Sequence, residues 1–286
     1  MALSRQQMNE EEIIRTMSPN DLMTFGDEIQ YFAVGRSALE CIDHALQAAH
    51  KPSAEVKRIL DLPCGHGRVL RYLRCAFPEA EITACDLMRD AVDFCASTFD
   101  AIPVNSHEDP AQIPLLPNTF DLIWVGSLLT HLDADRWKPF LQAFCTWLRP
   151  GGVLIFSTHG RETYRLMATG VYDFCLPYWR ISLLLWEYER SGFGYVNYRA
   201  AGRYGVTLSD AAWVFRHIAQ LRQMCLVYFG EKAWDNHQDI FACSRDPEWQ
   251  VPSRSISVWT FLKHRLREVV KPRKISGFWN MFPPVW

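Results

Sequence analysis

The stretch DLPCGHGR, residues 61–68, joins an apolar run ending at Leu62 to an amphipathic run beginning at Val69. Two glycines one residue apart at such a junction predict a strand, a tight turn and then a helix. A nicotinamide-binding turn needs a third glycine three residues after the second, and Leu70 stands there. A phosphate loop ends in Gly-Lys-Ser/Thr, whereas this one ends in Gly67-Arg68-Val69. The turn therefore points to neither ligand.

The pattern around the turn alternates. KRILDL, EITACDL, IPVNS, FDLIWVGSLL and GVLIFSTHG read as five strands, and FDLIWVGSLL is apolar enough to be buried on both faces. Between them, RVLRYLRCAF predicts a helix with Val69, Leu70, Leu73 and Phe77 inward, and RDAVDFCASTF predicts a second. DADRWKPFLQAFCTWLRPGG predicts a third, starting near Asp133 and stopped by Pro150 and two glycines. An earlier helix is expected over residues 28–49, with Ser37 as a cap or small contact. Strands alternating with helices of this length mean a parallel sheet with right-handed crossovers. Beyond residue 206, LSDAAWVFRHIAQL predicts a helix capped at Ser209, followed by strands at MCLVYFGE and HQDIFACSR. No helix separates those two strands, so they pair antiparallel.

Composition narrows the function. The chain has 286 residues, 49% of them hydrophobic, and a formal charge of -2. That balance argues against nucleic acid as a partner. The first residues, MALSRQQMNEEEII, lack the apolar core of a signal peptide, and no apolar run reaches the length of a membrane helix. Nine cysteines without a CxxC pair read as reduced thiols, which together predict a cytoplasmic protein. No four-ligand His/Cys spacing appears, so no metal is expected.

A turn of the form D-x-x-x-G-x-G suits a ligand without phosphate. Its glycines let the backbone approach an adenosine and an amino-acid tail, and the acid at the strand end can orient an ammonium. Asp86, at the end of the second strand, can accept both hydroxyls of a ribose. This arrangement resembles the class I S-adenosylmethionine-dependent methyltransferases, over about residues 30–160 and 207–245. IPLLPNTFDLIW, LRPGGVLIFSTHG and the terminal antiparallel pair also match that family. Pro63-Cys64 departs from it, standing where a first glycine is more common. The resemblance implies a Rossmann-like, seven-stranded, mostly parallel sheet with the last strand antiparallel, and S-adenosyl-L-methionine as cofactor. It implies cofactor contacts from Asp61, Cys64, Gly65 and Gly67 in the first loop. Asp86, Leu87 and Met88 are expected after the second strand, and Glu108 with Asp109 beside the adenine. Ser127 is expected after the fourth strand. Cys64 reads as a packed thiol rather than a nucleophile, because no base stands near it in sequence.

Ligands of open parallel sheets sit beyond the carboxyl ends of the strands. His131 and His159 follow the fourth and fifth strands, which makes both candidate general bases for an oxygen acceptor; His237 reads as a structural loop residue. Residues 161–206 break the rhythm and hold seven of the ten tyrosines. They are expected to form a substrate-side insertion with one or two helices near LPYWRISLLLWEYE and an aromatic wall for a sugar or flat acceptor.

The expected organisation is a helical cover (1–50), a cofactor-binding core (51–160), the insertion (161–206), the end of the core sheet (207–246) and a basic aromatic tail (247–286). Within the tail, residues 256–271 predict an amphipathic helix, and the basic stretch 251–274 could meet a membrane or a protein. A looser likeness to methyltransferases found beside glycan-assembly enzymes points to a saccharide or small-molecule acceptor, with O-methylation favoured. The alternative is a non-catalytic cofactor-binding or scaffold protein acting through its tail.

Overall fold

A computed structural model describes residues 12–24, 26–199 and 202–246. The tail, with its expected helix at 256–271 and its contact surface at 251–274, lies outside the described residues.

Seven strands form one sheet in the order β3-β2-β1-β4-β5-β9-β8. β1 (Arg58–Asp61), β2 (Glu81–Asp86), β3 (Ile102–Asn105), β4 (Phe120–Val125) and β5 (Leu148–His159) are mutually parallel. β9 (Gln238–Arg245) runs antiparallel to β5 on one side and to β8 (Met224–Trp234) on the other, as expected of the terminal pair. The inner strands are buried on both faces, and the period of two assigns their side chains. Leu122 and Trp124 of β4, Val153 and Ile155 of β5, and Ile240 and Ala242 of β9 enter one apolar cluster. Their neighbours Ile123 and Val125, Leu154 and Phe156, Phe241 and Cys243 enter the other.

α1 (Glu28–Ala48), α2 (Leu70–Ala76) and α3 (Arg89–Phe99) supply the first cluster; α4 (Ala134–Trp147) and α7 (Ala211–Ile218) supply the second. Carboxylates cap three of these helices. Asp27 accepts from the Gln30 amide (2.9 Å), Asp133 from Arg136 (3.3 Å) and Asp210 from Trp213 (2.6 Å). Asp210 therefore replaces the expected cap at Ser209. Ser37 lies mid-helix and donates to the Val34 carbonyl. The helix expected to run to Pro150 ends at Trp147, because Leu148 already pairs with Phe120 and the Pro-Gly-Gly turn becomes part of β5.

The insertion holds α5 (Arg161–Ala168), α6 (Tyr178–Ser191) and a hairpin of β6 (Phe193–Asn197) and β7 (Gly205–Ser209). The two helices meet the expectation; the hairpin does not, and the boundary expected at 206 falls inside β7. Met167, Leu176, Ile181, Leu184, Val196 and Leu208 give this unit a small core of its own. Among the described residues no helix is long and apolar enough to cross a membrane.

Candidate functional site

A cavity of about 580 Å³ opens at the carboxyl ends of β1, β2 and β4, where an open parallel sheet places its ligands. The loop after β1 forms one wall. Gly65 has φ +49°, and a Cβ there would meet no protein atom within 4 Å, so its free side is cavity. Gly67 has φ +82° but does not line the cavity; a Cβ there would run into the Phe99 ring. The two glycines thus divide the work. Gly65 faces the cavity, whereas Gly67, expected beside it as a ligand contact, lets the loop pack on Phe99 of α3.

Asp86 anchors this wall. Its Oδ2 accepts from the Gly65 amide and its Oδ1 from Met88, both at 2.9 Å. Leu87 and Met88 follow it along the cavity and are 62% and 48% exposed, an apolar pair open to a flat partner. Cys64 also lines the cavity, but the neighbouring Cys95 thiol and burial push its own thiol up, so it stays protonated and unreactive. Glu108 reaches the cavity and Asp109 does not. Asp109 accepts from the Ala111 amide (3.0 Å) and caps the short turn Pro110–Gln112, which corrects its expected adenine contact.

Asp61 is buried, its neighbours line the cavity, and neither carboxylate oxygen has a hydrogen-bond partner. Burial first, and the nearby Asp86 charge second, raise its pKa well above the ordinary carboxylate range. A buried acid left without a donor is one that a ligand cation would satisfy.

On the opposite wall, Ser127 sits at φ +59°, donates its amide to Ser157 Oγ (2.8 Å) and accepts at its own Oγ from Gln238 Nε2 (2.9 Å). His131 Nδ1 is 2.7 Å from the carbonyl oxygen of Gly205. That contact places the proton on Nδ1 and leaves Nε2 as an acceptor. Burial lowers the pKa of His131, so the ring is neutral near pH 7. Tyr204 stacks on it at 4.8 Å. His159 lies outside the cavity. It is fully buried, 6.3 Å from the His131 ring, with Nδ1 unpartnered and its pKa far below normal, chiefly by burial. His159 therefore packs behind His131, away from the cavity. His237 packs against His159 in turn.

The expected aromatic wall is also corrected. Trp179, Trp186 and Tyr178 face outward, and Tyr204 is the aromatic residue of the insertion that lines the cavity among the described residues.

Sequence reading missed other groups. Arg68, Asp21, Met23, Trp234, Arg136, Phe140 and Arg203 also line the cavity. Arg68 stood in the quoted stretch itself; the others carry no local signal. Arg71 ties the N-terminal segment to the loop. Its Nε donates to the Gly67 carbonyl (3.1 Å), its Nη1 to Ile14 (2.7 Å) and its Nη2 to the Tyr31 hydroxyl, which donates to Asp21. Among the described residues no group of acidic, His and Cys side chains is placed to hold a metal.

Residues 59–152 match the family model described as a methyltransferase domain. The chain is 30% identical over 126 residues to a fatty-acid O-methyltransferase of Mycolicibacterium smegmatis, covering 42% of this chain and 45% of that one. It is 36% identical over 110 residues to a malonyl-[acyl-carrier protein] O-methyltransferase of Enterobacter lignolyticus, covering 38% and 42%. The chain thus spans less than half the length of these curated relatives. Among solved structures, a Pyrococcus horikoshii protein superposes with a TM-score of 0.51 at 14% identity, covering 74% of this chain and 91% of that one. An S-adenosylmethionine-dependent methyltransferase of Clostridium acetobutylicum gives 0.50 at 14% identity, covering 79% and 96%. Those two likenesses show the fold, and residues 59–152 match a methyltransferase domain.

Proposed function

We propose that the chain transfers a methyl group from S-adenosylmethionine to an oxygen of a small, largely apolar acceptor. The observation that carries this reading is the meeting of Gly65 and Asp86 on one cavity, an open backbone and a carboxylate braced by two amides, with the unpartnered buried Asp61 directly before the loop that lines it. The donor set suits the cofactor group by group. Asp61 would take its ammonium and Arg68 its carboxylate. Asp86 keeps lone pairs for a ribose diol, and Leu87, Met88 and Glu108 would flank the adenine.

When bound, the cofactor supplies an electrophilic methyl on a sulfonium. The chain's own part is alignment in the cavity and, for a hydroxyl acceptor, a place for the proton. His131 Nε2 can hold that proton, since Nδ1 is committed to Gly205. A carboxylate acceptor has no proton to lose and would not need His131. The apolar lining, from Leu128 and Leu132 to Phe140 and Tyr204, favours a hydrocarbon or aromatic acceptor over a saccharide. The division into cover, core and insertion belongs to this reading: the first two hold the cofactor, and the insertion closes the acceptor side.

Titration calorimetry with S-adenosylmethionine and S-adenosylhomocysteine tests the cofactor, and mass detection of a 14-dalton gain on supplied acceptors tests the transfer. If neither compound binds, the scaffold reading takes its place. With a hydroxyl acceptor, His131→Ala should lower turnover about 10²-fold or more while cofactor affinity holds.

A further inference from the structure

Arg136 carries a guanidinium whose only close acid among the described residues, Asp133, leaves two of its nitrogens without a hydrogen bond. It lies in the first turn of α4 on the cavity wall, with its side chain 12% exposed. Its Nε and Nη2 are sealed from solvent and have no hydrogen-bond partner. The neighbouring acid is already occupied. Asp133 Oδ2 accepts from Arg203 Nε (2.8 Å), and its Oδ1 accepts from Arg203 Nη2 (2.9 Å) and from the Arg136 amide (3.3 Å). Arg136 Nε is left with a 3.4 Å approach to that same Oδ1, too poorly placed for a hydrogen bond. Asp135 stands 4.0 Å from Arg203 and is 93% exposed, so it does little for a buried guanidinium. Two arginines therefore share one effective carboxylate at the wall.

Burying an unpaired guanidinium is costly, and a ligand anion offsets that cost. The cofactor has one anionic group, its carboxylate, and Arg68 beside the Cys64–Gly65 loop is placed for it. The cavity that Arg136 lines also holds the apolar side chains of Leu132, Phe140 and Tyr204. We propose that Arg136 binds a carboxylate on the acceptor, so that the acceptor is an apolar carboxylic acid. This rests on the methyltransferase reading for the word acceptor, while the anion site itself stands on the charge count alone. The guanidinium's planar fork matches a carboxylate in two parallel bonds, a geometry lysine cannot reproduce.

The test uses the full chain, with octanoate as the probe acid and octan-1-ol as its neutral counterpart. Both are titrated by calorimetry, with and without saturating S-adenosylhomocysteine. Octanoate should bind at least about tenfold tighter than octanol, the lower end expected for hydrogen bonds to a charged group. Arg136→Gln should remove that preference, Arg136→Lys should restore only part of it, and octanol binding should not move. The S-adenosylhomocysteine dissociation constant should stay within about twofold in all variants, which also shows that they fold. Equal binding of acid and alcohol by the unaltered chain would overturn the proposal, and so would a preference that survives Arg136→Gln. A loss of S-adenosylhomocysteine affinity in Arg136→Gln, with the octanoate preference intact, would assign Arg136 to the cofactor instead. Failure of S-adenosylhomocysteine to bind the unaltered chain would strike the cofactor reading and leave the octanoate arms to decide the anion site.

Discussion

Asp61 ends β1 with both oxygens shut away from water and unpartnered, and Asp86 close enough to raise its pKa further. In the unfolded chain an aspartate releases its proton near pH 4; in the folded chain Asp61 releases it well above that. The unfolded state therefore binds fewer protons in between, and stability falls as pH rises through that interval. Asp61→Asn should raise the melting temperature of the ligand-free protein at pH 7, with the gain vanishing near pH 4, yet weaken S-adenosylhomocysteine binding by about tenfold or more. Calorimetry on both states checks it; a variant that is stabilised and still binds normally would remove Asp61 from the ammonium site. Asp86→Ala behaves differently, because it orphans the Gly65 and Met88 amides. Affinity and stability should fall together, each by about 1.5–3 kcal/mol, in titration and in urea unfolding. Which acidic neighbour faces the cavity was partly legible. Asp109 precedes Pro110, a cap followed by a first-turn proline, and that signal explains why Glu108 alone reaches the cavity. Arg136 was not legible, since its state depends on how Arg203, 67 positions on by number, spends the charge of Asp133.

Among the elements, the strands with both faces buried were readable because an unbroken apolar run has few other homes in an alternating chain. The hairpin of β6 and β7 escaped for the opposite reason. FGYVN and GVTLS are short, glycine-bearing and only partly alternating, and their pairing spans a connection that carries no hairpin turn signal. Yet this hairpin positions the candidate base, since Gly205 supplies the carbonyl on His131 and Thr207 donates to the Leu132 carbonyl at 2.6 Å. In α2 the apolar spacing identified Leu70 and Leu73 as inward but left Arg71 on the outer face. Arg71 is 1% exposed because the N-terminal segment folds over it, through Ile14 and the Tyr31–Asp21 pair. Arg71→Met keeps the length and removes three donors. It should cost about 3 kcal/mol or more in urea unfolding and loosen the wall that includes Asp21 and Met23. A variant that unfolds like the parent chain would show that the segment is held by its apolar contacts alone.

Several buried groups among residues 12–246 are held in their neutral forms, and each makes stability depend on pH. Burial holds His131 and His159 uncharged, with pKa values below the histidine norm. An unfolded histidine takes up its proton near pH 6.5, so the unfolded state binds more protons below that point and stability falls as pH drops. On the alkaline side the buried thiols act in reverse. Cys41, Cys85 and Cys145 are pushed up to about 12 by burial, whereas unfolded thiols ionise near 8.5. The folded state then keeps protons that the unfolded state loses, and stability falls as pH rises. Asp61 adds a decline that starts at lower pH. Urea-unfolding profiles of the parent chain and of a His159 variant should therefore diverge below about pH 6.5 and run parallel above it. His159→Phe should flatten the acid limb without touching the alkaline one, since the ring lies behind the cavity and the replacement carries no proton. An acid limb unchanged in that variant would mean that His159 is charged in the fold.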